Sequence, residues 1–366
     1  MKIGIINEKK DNRVAIIPEL VKRLIDEGNE IIAEKGCGES ALYDDKSYQE
    51  AGAQLASRND VLESSALICS IIPLAKDDYK LLPEGAIIIS SYQPYNALDE
   101  TEAAASKKFT IFSMDMIPRI TLAQAMDVLS SMASIAGYKA VITAANHLPK
   151  YFPMLTTAAG SIPPAKVLVM GAGVAGLQAV ATAKRLGSVV QAFDTRAAAK
   201  EEVESLGAKF VEVEGATDDK AAGGYAVEQT EEYKQKQRER IFEEAVKADV
   251  IITTAQLRGK PAPTLITKEM VGQMKDGSVI VDIASSTGGN CELTEDEKIV
   301  VKHGVTIIGN SELAADVPNH ASQLFSKNVH NFMKTFLKEG KAELDMENEI
   351  LKSSCIVADG EIVYGK

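Results

Sequence analysis

Residues 171–176, Gly-Ala-Gly-Val-Ala-Gly, have the spacing of a dinucleotide-binding turn. They follow an apolar run, residues 165–170, that is typical of a buried strand, and they precede a predicted helix, residues 177–186, ended by Gly187. In such a turn the glycines permit a tight bend, a close approach of the backbone to a pyrophosphate, and close packing of the helix. The positive end of the helix dipole then faces the phosphates. We therefore predict cofactor-binding roles for Gly171, Gly173, Val174, Ala175 and Gly176.

The residues after the next predicted strand bear on the choice of dinucleotide. Asp194 follows that strand, residues 189–193, at a position expected for a ribose-binding carboxylate. A carboxylate there accepts hydrogen bonds from the adenosine ribose and repels a 2′-phosphate, which favours NAD over NADP. Arg196 leaves NADP open, because a nearby arginine can hold that phosphate. Thr195, between them, is included in the predicted site.

A run of polar residues before the turn is a second candidate for chemistry. Gln124, Asp127 and Ser130 recur at every third position after Arg119. On the helix predicted for residues 122–147 they lie within an arc of ~120°, as one polar strip. From the residues alone, we favour a half-exposed helix with solvated side chains.

The elements around these residues predict an α/β protein with two Rossmann-like, doubly wound parallel-sheet domains joined by long helices. Apolar runs typical of strands alternate with helical patterns throughout the chain. The predicted strands are residues 2–6, 30–34, 66–71, 86–90, 109–114, 166–170, 189–193, 209–213, 249–253, 278–282 and 306–308. We place one domain at residues 1–129 plus 317–366 and the NAD(H)-binding domain at 130–316, with a returning C-terminal helix at 318–338. A cleft between two such domains is the default ligand site.

One predicted connection, residues 214–229, is longer than is usual between a strand and a helix. It carries Tyr225 directly after Gly223-Gly224. The segment is either a lid that reaches a ligand through this tyrosine or a plain surface loop.

Composition excludes several classes of function. The 366 residues carry a net charge of −12, which argues against binding to nucleic acid or anionic lipid. No continuous apolar run approaches the ~18 residues of a membrane span, so we expect no direct membrane insertion, and the N-terminus does not fit a signal peptide. The cysteines and histidines have no metal-ligand spacing, and we predict neither a metal site nor a disulfide framework. The cysteines are Cys37, Cys69, Cys291 and Cys355.

Several segments together are more specific than the turn alone. The polar run reads Met-Ile-Pro-Arg at 116–119, continues through Gln124 and Asp127 to Leu-Ser-Ser at 129–131, and is followed by Ala-Gly-Tyr at 136–138. This run resembles the arginine–glutamine–aspartate loop in the NAD(H)-binding component, domain I, of proton-translocating nicotinamide nucleotide transhydrogenase. The resemblance covers essentially the whole chain. Its other segments are residues 157–165, 171–179, 223–226, 259–263 and 288–291.

The resemblance implies direct hydride transfer between NAD(H) on this chain and NADP(H) on a partner component. Arg119, Gln124, Asp127 and Ser130 would then hold the nicotinamide, and Tyr225 would lie on a mobile loop that closes over NAD(H). Further implied cofactor-binding residues are Asp194, Ala255, Leu257, Gly289 and Asn290.

The resemblance also implies an assembly. The component would be a homodimer, cytoplasmic and peripheral to the cytoplasmic face of the membrane. Its partners would be the NADP(H)-binding component and the membrane-spanning subunits, and we expect proton translocation to belong to those subunits.

The sequence departs from that family at a few places. Residues 285–287, Ser-Ser-Thr, stand where members carry an acidic or amide residue. Arg258 stands where members typically have proline, and Gln256 lies near an expected apolar contact. These departures bear on the affinity for NAD(H) and leave the main site intact.

The alternative function is that of a related amino-acid dehydrogenase, an alanine dehydrogenase. Members share the opening Arg-Val-Ala-Ile-Ile-Pro at 13–18 but use a lysine and a histidine in catalysis. Ile71-Ile72 stand at the place of the lysine, and residues 91–95, Ser-Tyr-Gln-Pro-Tyr, stand at that of the histidine. Arg13 remains, either as a carboxylate ligand or as an ion-pair partner. A non-catalytic NAD(H)-binding regulator is a third interpretation, and it would have no use for the polar run.

Overall fold

The computed structural model of this chain describes residues 1–95, 107–213, 231–256 and 258–364. The chain divides into two compact units. One comprises Met1–Met132 with Ala315–Lys366, and the other comprises Ala133–Ala314.

The strands lie close to their predicted positions where the runs are strongly apolar. In chain order they are β1 (Lys2–Ile5), β2 (Glu30–Glu34), β3 (Gln54–Ala56), β4 (Leu67–Cys69), β5 (Ile87–Ser90), β6 (Thr110–Ser113), β7 (Leu155–Thr157), β8 (Gly160–Ile162), β9 (Lys166–Met170), β10 (Val189–Phe193), β11 (Lys209–Phe210), β12 (Val250–Thr253), β13 (Val279–Asp282), β14 (Lys298–Lys302), β15 (Val305–Gly309), β16 (Leu337–Lys338), β17 (Lys341–Ala342), β18 (Cys355–Ala358) and β19 (Glu361–Ile362). The sequence analysis missed β3, β7, β8, β14 and β16–β19, which are short or polar.

The helices differ widely in length. They are α1 (Pro18–Asp26), α2 (Asp45–Glu50), α3 (Arg58–Ser64), α4 (Asp78–Leu81), α5 (Val128–His147), α6 (Val174–Arg185), α7 (Ala199–Ser205), α8 (Glu231–Ala245), α9 (Lys268–Gln273), α10 (Pro318–Met333) and α11 (Glu349–Ser354). Short 3₁₀ helices span Glu39–Ala41, Met114–Met116, Thr121–Met126 and Ser285–Thr287.

The first unit is built on an eight-stranded sheet with the order β19-β18-β6-β5-β4-β1-β2-β3. The six strands from β6 to β3 are parallel, and β18 is antiparallel to β6. Strands β4 and β5 are buried on both faces, as expected of central parallel strands. The C-terminal helix α10 packs on this sheet, where Phe332 and Phe336 contact Phe112.

The second unit has a seven-stranded sheet with the order β11-β10-β9-β12-β13-β15-β14. The first six are parallel in the order of a Rossmann fold, and β14 adds an antiparallel edge. The prediction of a two-domain Rossmann-like α/β fold is confirmed. The strand order reverses between β9 and β12, the place where such sheets bind ligands beyond the carboxyl ends of their strands.

Helix α5 differs from its prediction in two ways. It begins at Val128 and not near Leu122, so the single polar strip predicted on one helix is wrong. By length and composition α5 is also long and apolar enough to cross a membrane, although the sequence analysis found no such run. A third of its most apolar window is buried, and core helices of soluble proteins meet the same criterion. Gly137 packs it onto α6, because a Cβ there would lie 2.0 Å from the Ala175 carbonyl oxygen.

Candidate functional site

The turn between β9 and α6 has the geometry that its glycines predict. Gly171 has a φ of +101°, which favours glycine, and a Cβ there would lie 2.6 Å from Thr254 Oγ1. A Cβ on Gly176 would lie 1.8 Å from the carbonyl oxygen of Gly171. Thr254 Oγ1 donates to that same carbonyl at 3.0 Å and fixes the turn. Helix α6 begins at Val174, three residues earlier than predicted, because it includes the end of the motif itself.

The N-terminus of α6 is open. Gly173 is its N-cap residue and provides no side-chain cap, and nothing lies within 4 Å of the place where a Cβ on Gly173 would be. Val174 is 45% exposed, so the first turn of the helix faces outward. Uncapped amides at the positive end of a twelve-residue helix fit the phosphates of a dinucleotide.

Asp194 is tied to this turn from the end of β10. Its carboxylate accepts from the Ala172 amide at 2.7 Å and from the Arg196 amide at 2.8 Å. The Arg196 guanidinium donates to the same carboxylate at 3.0 and 3.1 Å and to the Ala172 carbonyl at 3.2 Å. Thr195 is exposed. The structure therefore brings together the predicted ribose carboxylate, the arginine and the turn.

The other predicted cofactor residues follow β12 and β13. The Asn290 side chain accepts from the Ala255 amide at 3.0 Å and donates to the carbonyls of Ala255 at 2.9 Å and Pro263 at 2.8 Å. Gly289 precedes it with a φ of +79°. Leu257 and Tyr225, with the whole of segment 214–229, lie outside the described residues.

Asp282, which the sequence analysis missed, organises this loop. It is fully buried at the end of β13, and one carboxylate oxygen accepts from the amides of Asn290 at 2.8 Å and Cys291 at 3.0 Å and from the Thr294 hydroxyl at 2.7 Å. A Cβ on Gly289 would lie 2.7 Å from that oxygen, so only glycine fits there. An acidic residue that ends an otherwise apolar strand was the available signal.

The departing segment 285–287 forms a 3₁₀ helix beside this loop. Ser285 Oγ lies 3.0 Å from Ser311 Oγ, which also accepts from the Ser286 amide at 2.8 Å. Thr287 accepts at its carbonyl from the Ala262 amide at 2.8 Å. The short hydroxyl side chains thus hold the local backbone, where a longer acidic or amide side chain was expected.

The polar run belongs to the first unit, and the turn belongs to the second. Arg119 and Gln124 are exposed, the latter on the 3₁₀ helix, and Asp127 lies at the break before α5 with an extended backbone. Asp127 and Ser130 are half-buried, and Asp127 accepts from the Ser130 amide at 2.9 Å and from its hydroxyl at 2.6 Å.

The positions of the missing dehydrogenase residues are filled by structural contacts. Buried Glu8 accepts from the Ile71 amide at 2.6 Å, and its burial raises the pKa of its carboxyl to about 8. The Arg13 guanidinium forms a buried ion pair with Asp11, its Nε donating at 2.9 Å. The structure thus gives Arg13 an ion-pair partner, one of the two roles left open by the sequence.

The four cysteines are free and buried. Burial raises the pKa of the Cys37 thiol to about 12 and those of Cys291 and Cys355 to about 11, so these thiols stay protonated at neutral pH. Within the described part of the chain, no group of three or more histidine, cysteine or acidic side chains could hold a metal ion.

Comparisons with known proteins agree with these features. The N-terminal domain of the alanine dehydrogenase/PNT family matches residues 4–136, and its C-terminal domain matches residues 140–365. Over its whole length the chain is 46% identical to an NAD(P) transhydrogenase alpha subunit of Rhodospirillum rubrum, of which it covers 98%. It is 26% identical over its whole length to alanine dehydrogenase of Staphylococcus haemolyticus, of which it covers 94%. A solved transhydrogenase structure from Sinorhizobium meliloti superposes with a TM-score of 0.91 at 40% identity, covering 99% of this chain and 100% of that one.

Proposed function

Because the chain belongs to the alanine dehydrogenase/PNT family, we propose that it is the NAD(H)-binding component of a proton-translocating transhydrogenase. In this role it transfers hydride directly between its own NAD(H) and NADP(H) on a partner component. The chain acts as a cytoplasmic homodimer at the membrane surface, together with membrane-spanning subunits that translocate the proton.

One observation separates this function from that of a dehydrogenase. Oxidation of an amine needs a proton acceptor beside the substrate, whereas transfer between two nicotinamide rings needs none. At the place of the dehydrogenase lysine, this chain has Ile71, whose backbone amide donates to buried Glu8. The dehydrogenase machinery is therefore replaced by a packing contact, which supports transfer between nucleotides.

The residues of the second unit would hold NAD(H), which supplies the hydride at C4 of its nicotinamide ring. The open N-terminus of α6 and the glycines of the turn would bind the pyrophosphate, and Asp194 would bind the adenosine ribose. The cofactor-binding residues in this proposal are Gly171, Gly173, Val174, Ala175, Gly176, Asp194, Thr195, Arg196, Tyr225, Ala255, Leu257, Gly289 and Asn290.

The polar run of the first unit would orient the nicotinamide. Arg119 and Gln124 are exposed and able to reach a ligand, and Asp127 and Ser130 are joined to each other. Their contribution would be orientation and exclusion of water, since orientation alone supplies roughly 7–11 kcal/mol of barrier lowering in favourable cases.

The test is cyclic transhydrogenation with purified proteins. The chain is mixed with a transhydrogenase NADP(H)-binding component, a trace of NADP(H), NADH and an NAD⁺ analogue whose reduced form absorbs at a distinct wavelength. We expect rapid reduction of the analogue only when both proteins are present. Tight NADH binding without turnover would reject the proposal, and NADH oxidation with pyruvate and ammonia would instead identify a dehydrogenase.

A further inference from the structure

The polar run is interrupted where the sequence predicts a continuous helix. The 3₁₀ helix Thr121–Met126 ends at Asp127, which has φ −74° and ψ 91°, and α5 begins only after it. The backbone bonds at the break run from the Asp127 amide to the Gln124 carbonyl and from the Ser131 amide to the Asp127 carbonyl. The interruption turns Gln124 and Asp127 away from the face they would share on one helix.

Two asparagines from the C-terminal helix α10 bind the backbone at this interruption. Asn328 Nδ2 donates to the carbonyl of Ala125 at 2.9 Å, and Asn331 Nδ2 donates to the same carbonyl at 3.2 Å. In a continuous helix that carbonyl would accept from a backbone amide of the next turn. Side-chain amides from far along the sequence therefore take the place of the helix bond.

The Asn328 amide has no other evident purpose in the packing. The residue is 6% exposed, and its Oδ1 atom is buried with no hydrogen-bond partner among the described residues. A buried acceptor without a partner is unfavourable, and a leucine of similar size would avoid that cost beside neighbouring Phe325 and Val329 of the core. The compensating contact is the bond to the Ala125 carbonyl.

We infer that Asn328, assisted by Asn331, is a positioning residue that holds segment 121–127 in the broken conformation that presents Gln124 and Asp127 to the nicotinamide. This inference rests on the proposed function. Apolar contacts of Ala123 and Met126 bury the segment, and the two amides set the direction of its backbone.

The test compares Asn328→Leu with Asn319→Leu. Asn319 is a matched control, because it donates to the carbonyl of Ala41 at 2.9 Å from the same helix. In Asn328→Leu we expect kcat for cyclic transhydrogenation to fall about tenfold or more, because small misplacements of reacting groups cost rates of that order. The KM for NADH should stay within about twofold, since the phosphate and ribose contacts lie in the other unit. Asn319→Leu should leave kcat unchanged.

A readout independent of activity is amide hydrogen exchange. Exchange at residues 121–127 should rise several-fold in Asn328→Leu and stay unchanged in Asn319→Leu. Asn331→Ala, at an exposed position, provides a second variant that should show both effects to a smaller extent. A folded Asn328→Leu protein with wild-type kcat, or with wild-type exchange at residues 121–127, would overturn the inference. An inactive wild-type mixture would instead reject the proposed function.

Discussion

The carboxylate of Asp127 accepts two hydrogen bonds from Ser130, one from the backbone amide and one from the hydroxyl. Because Asp127 directly precedes α5, the bond from the amide is that of a helix N-cap. Two residues of the polar run therefore support the fold, whatever they do for a ligand. A substitution here must be designed so that the loss of the cap and the loss of chemistry can be told apart.

Asn in place of Asp127 keeps a side-chain acceptor for the cap but removes the charge. We expect Asp127→Asn to unfold in urea within a few tenths of a kcal/mol of wild type and Asp127→Ala to lose about 1 kcal/mol. Both should slow hydride transfer, because both remove the carboxylate that would orient the nicotinamide. Ser130→Ala removes only the hydroxyl bond and serves as the comparison. Wild-type turnover in Asp127→Asn would show that the carboxylate does no more than cap the helix.

Two glycines of the turn should respond differently to alanine. A Cβ on Gly176 would collide with the Gly171 carbonyl, so Gly176→Ala should lose roughly 1–3 kcal/mol of unfolding free energy. A Cβ on Gly173 meets open space, so Gly173→Ala should keep wild-type stability. The methyl group would still occupy the path of the pyrophosphate, and we expect the Kd for NADH to rise about tenfold. Calorimetric titration and thermal unfolding measure both. Wild-type NADH affinity in Gly173→Ala would place the dinucleotide elsewhere.

The Asp194–Arg196 pair should set the preference for NAD(H). In Asp194→Asn the negative charge is lost and the Arg196 guanidinium is released from a carboxylate, which favours a 2′-phosphate. We expect the ratio of the NADPH and NADH dissociation constants to shift towards NADPH by about tenfold or more. Thr195→Ala, at the exposed neighbour, should leave the ratio unchanged. A ratio within about twofold of wild type in Asp194→Asn would separate this carboxylate from nucleotide choice.

Glu8 should make stability depend on pH. Burial raises the pKa of its carboxyl to about 8 from an ordinary 4.5, against the opposing amide bonds of Ile71 and Ile72. The folded protein then holds a proton that the unfolded chain releases, so the free energy of unfolding should fall as pH rises from about 4.5 to about 8. Glu8→Gln cannot ionise and should show a flatter profile in urea unfolding over that range. Parallel profiles for the two proteins would mean that Glu8 is ionised in the fold.

Strongly apolar segments made much of the fold predictable. Strands β2, β9 and β10 match their predicted bounds, because a continuous apolar run between polar turns has few other packed conformations. The geometry of the dinucleotide turn was equally accessible, since its glycines answer to local backbone and packing requirements at Gly171 and Gly176.

Features set by distant contacts were not accessible from local patterns. The break at Asp127 depends on Asn328, which lies far away in the sequence, and the local pattern of residues 122–147 is that of a helix. Asp282 reads as the polar end of a strand, and its role emerges only when the loop carrying Asn290 folds over it. Strand β14 is largely exposed on a sheet edge and lacks the buried apolar run that marks central strands.

Isotope transfer tests direct hydride transfer most sharply. NADH carrying deuterium at the transferred C4 position is incubated in ordinary water with NADP⁺, this chain and an NADP(H)-binding component, and the NADPH formed is examined by mass spectrometry. We predict one deuterium per NADPH, formed only when both proteins are present, because no solvent-exchangeable carrier intervenes. NADPH carrying hydrogen from water, or deuterium transfer by this chain without its partner, would contradict direct transfer between the two bound nucleotides.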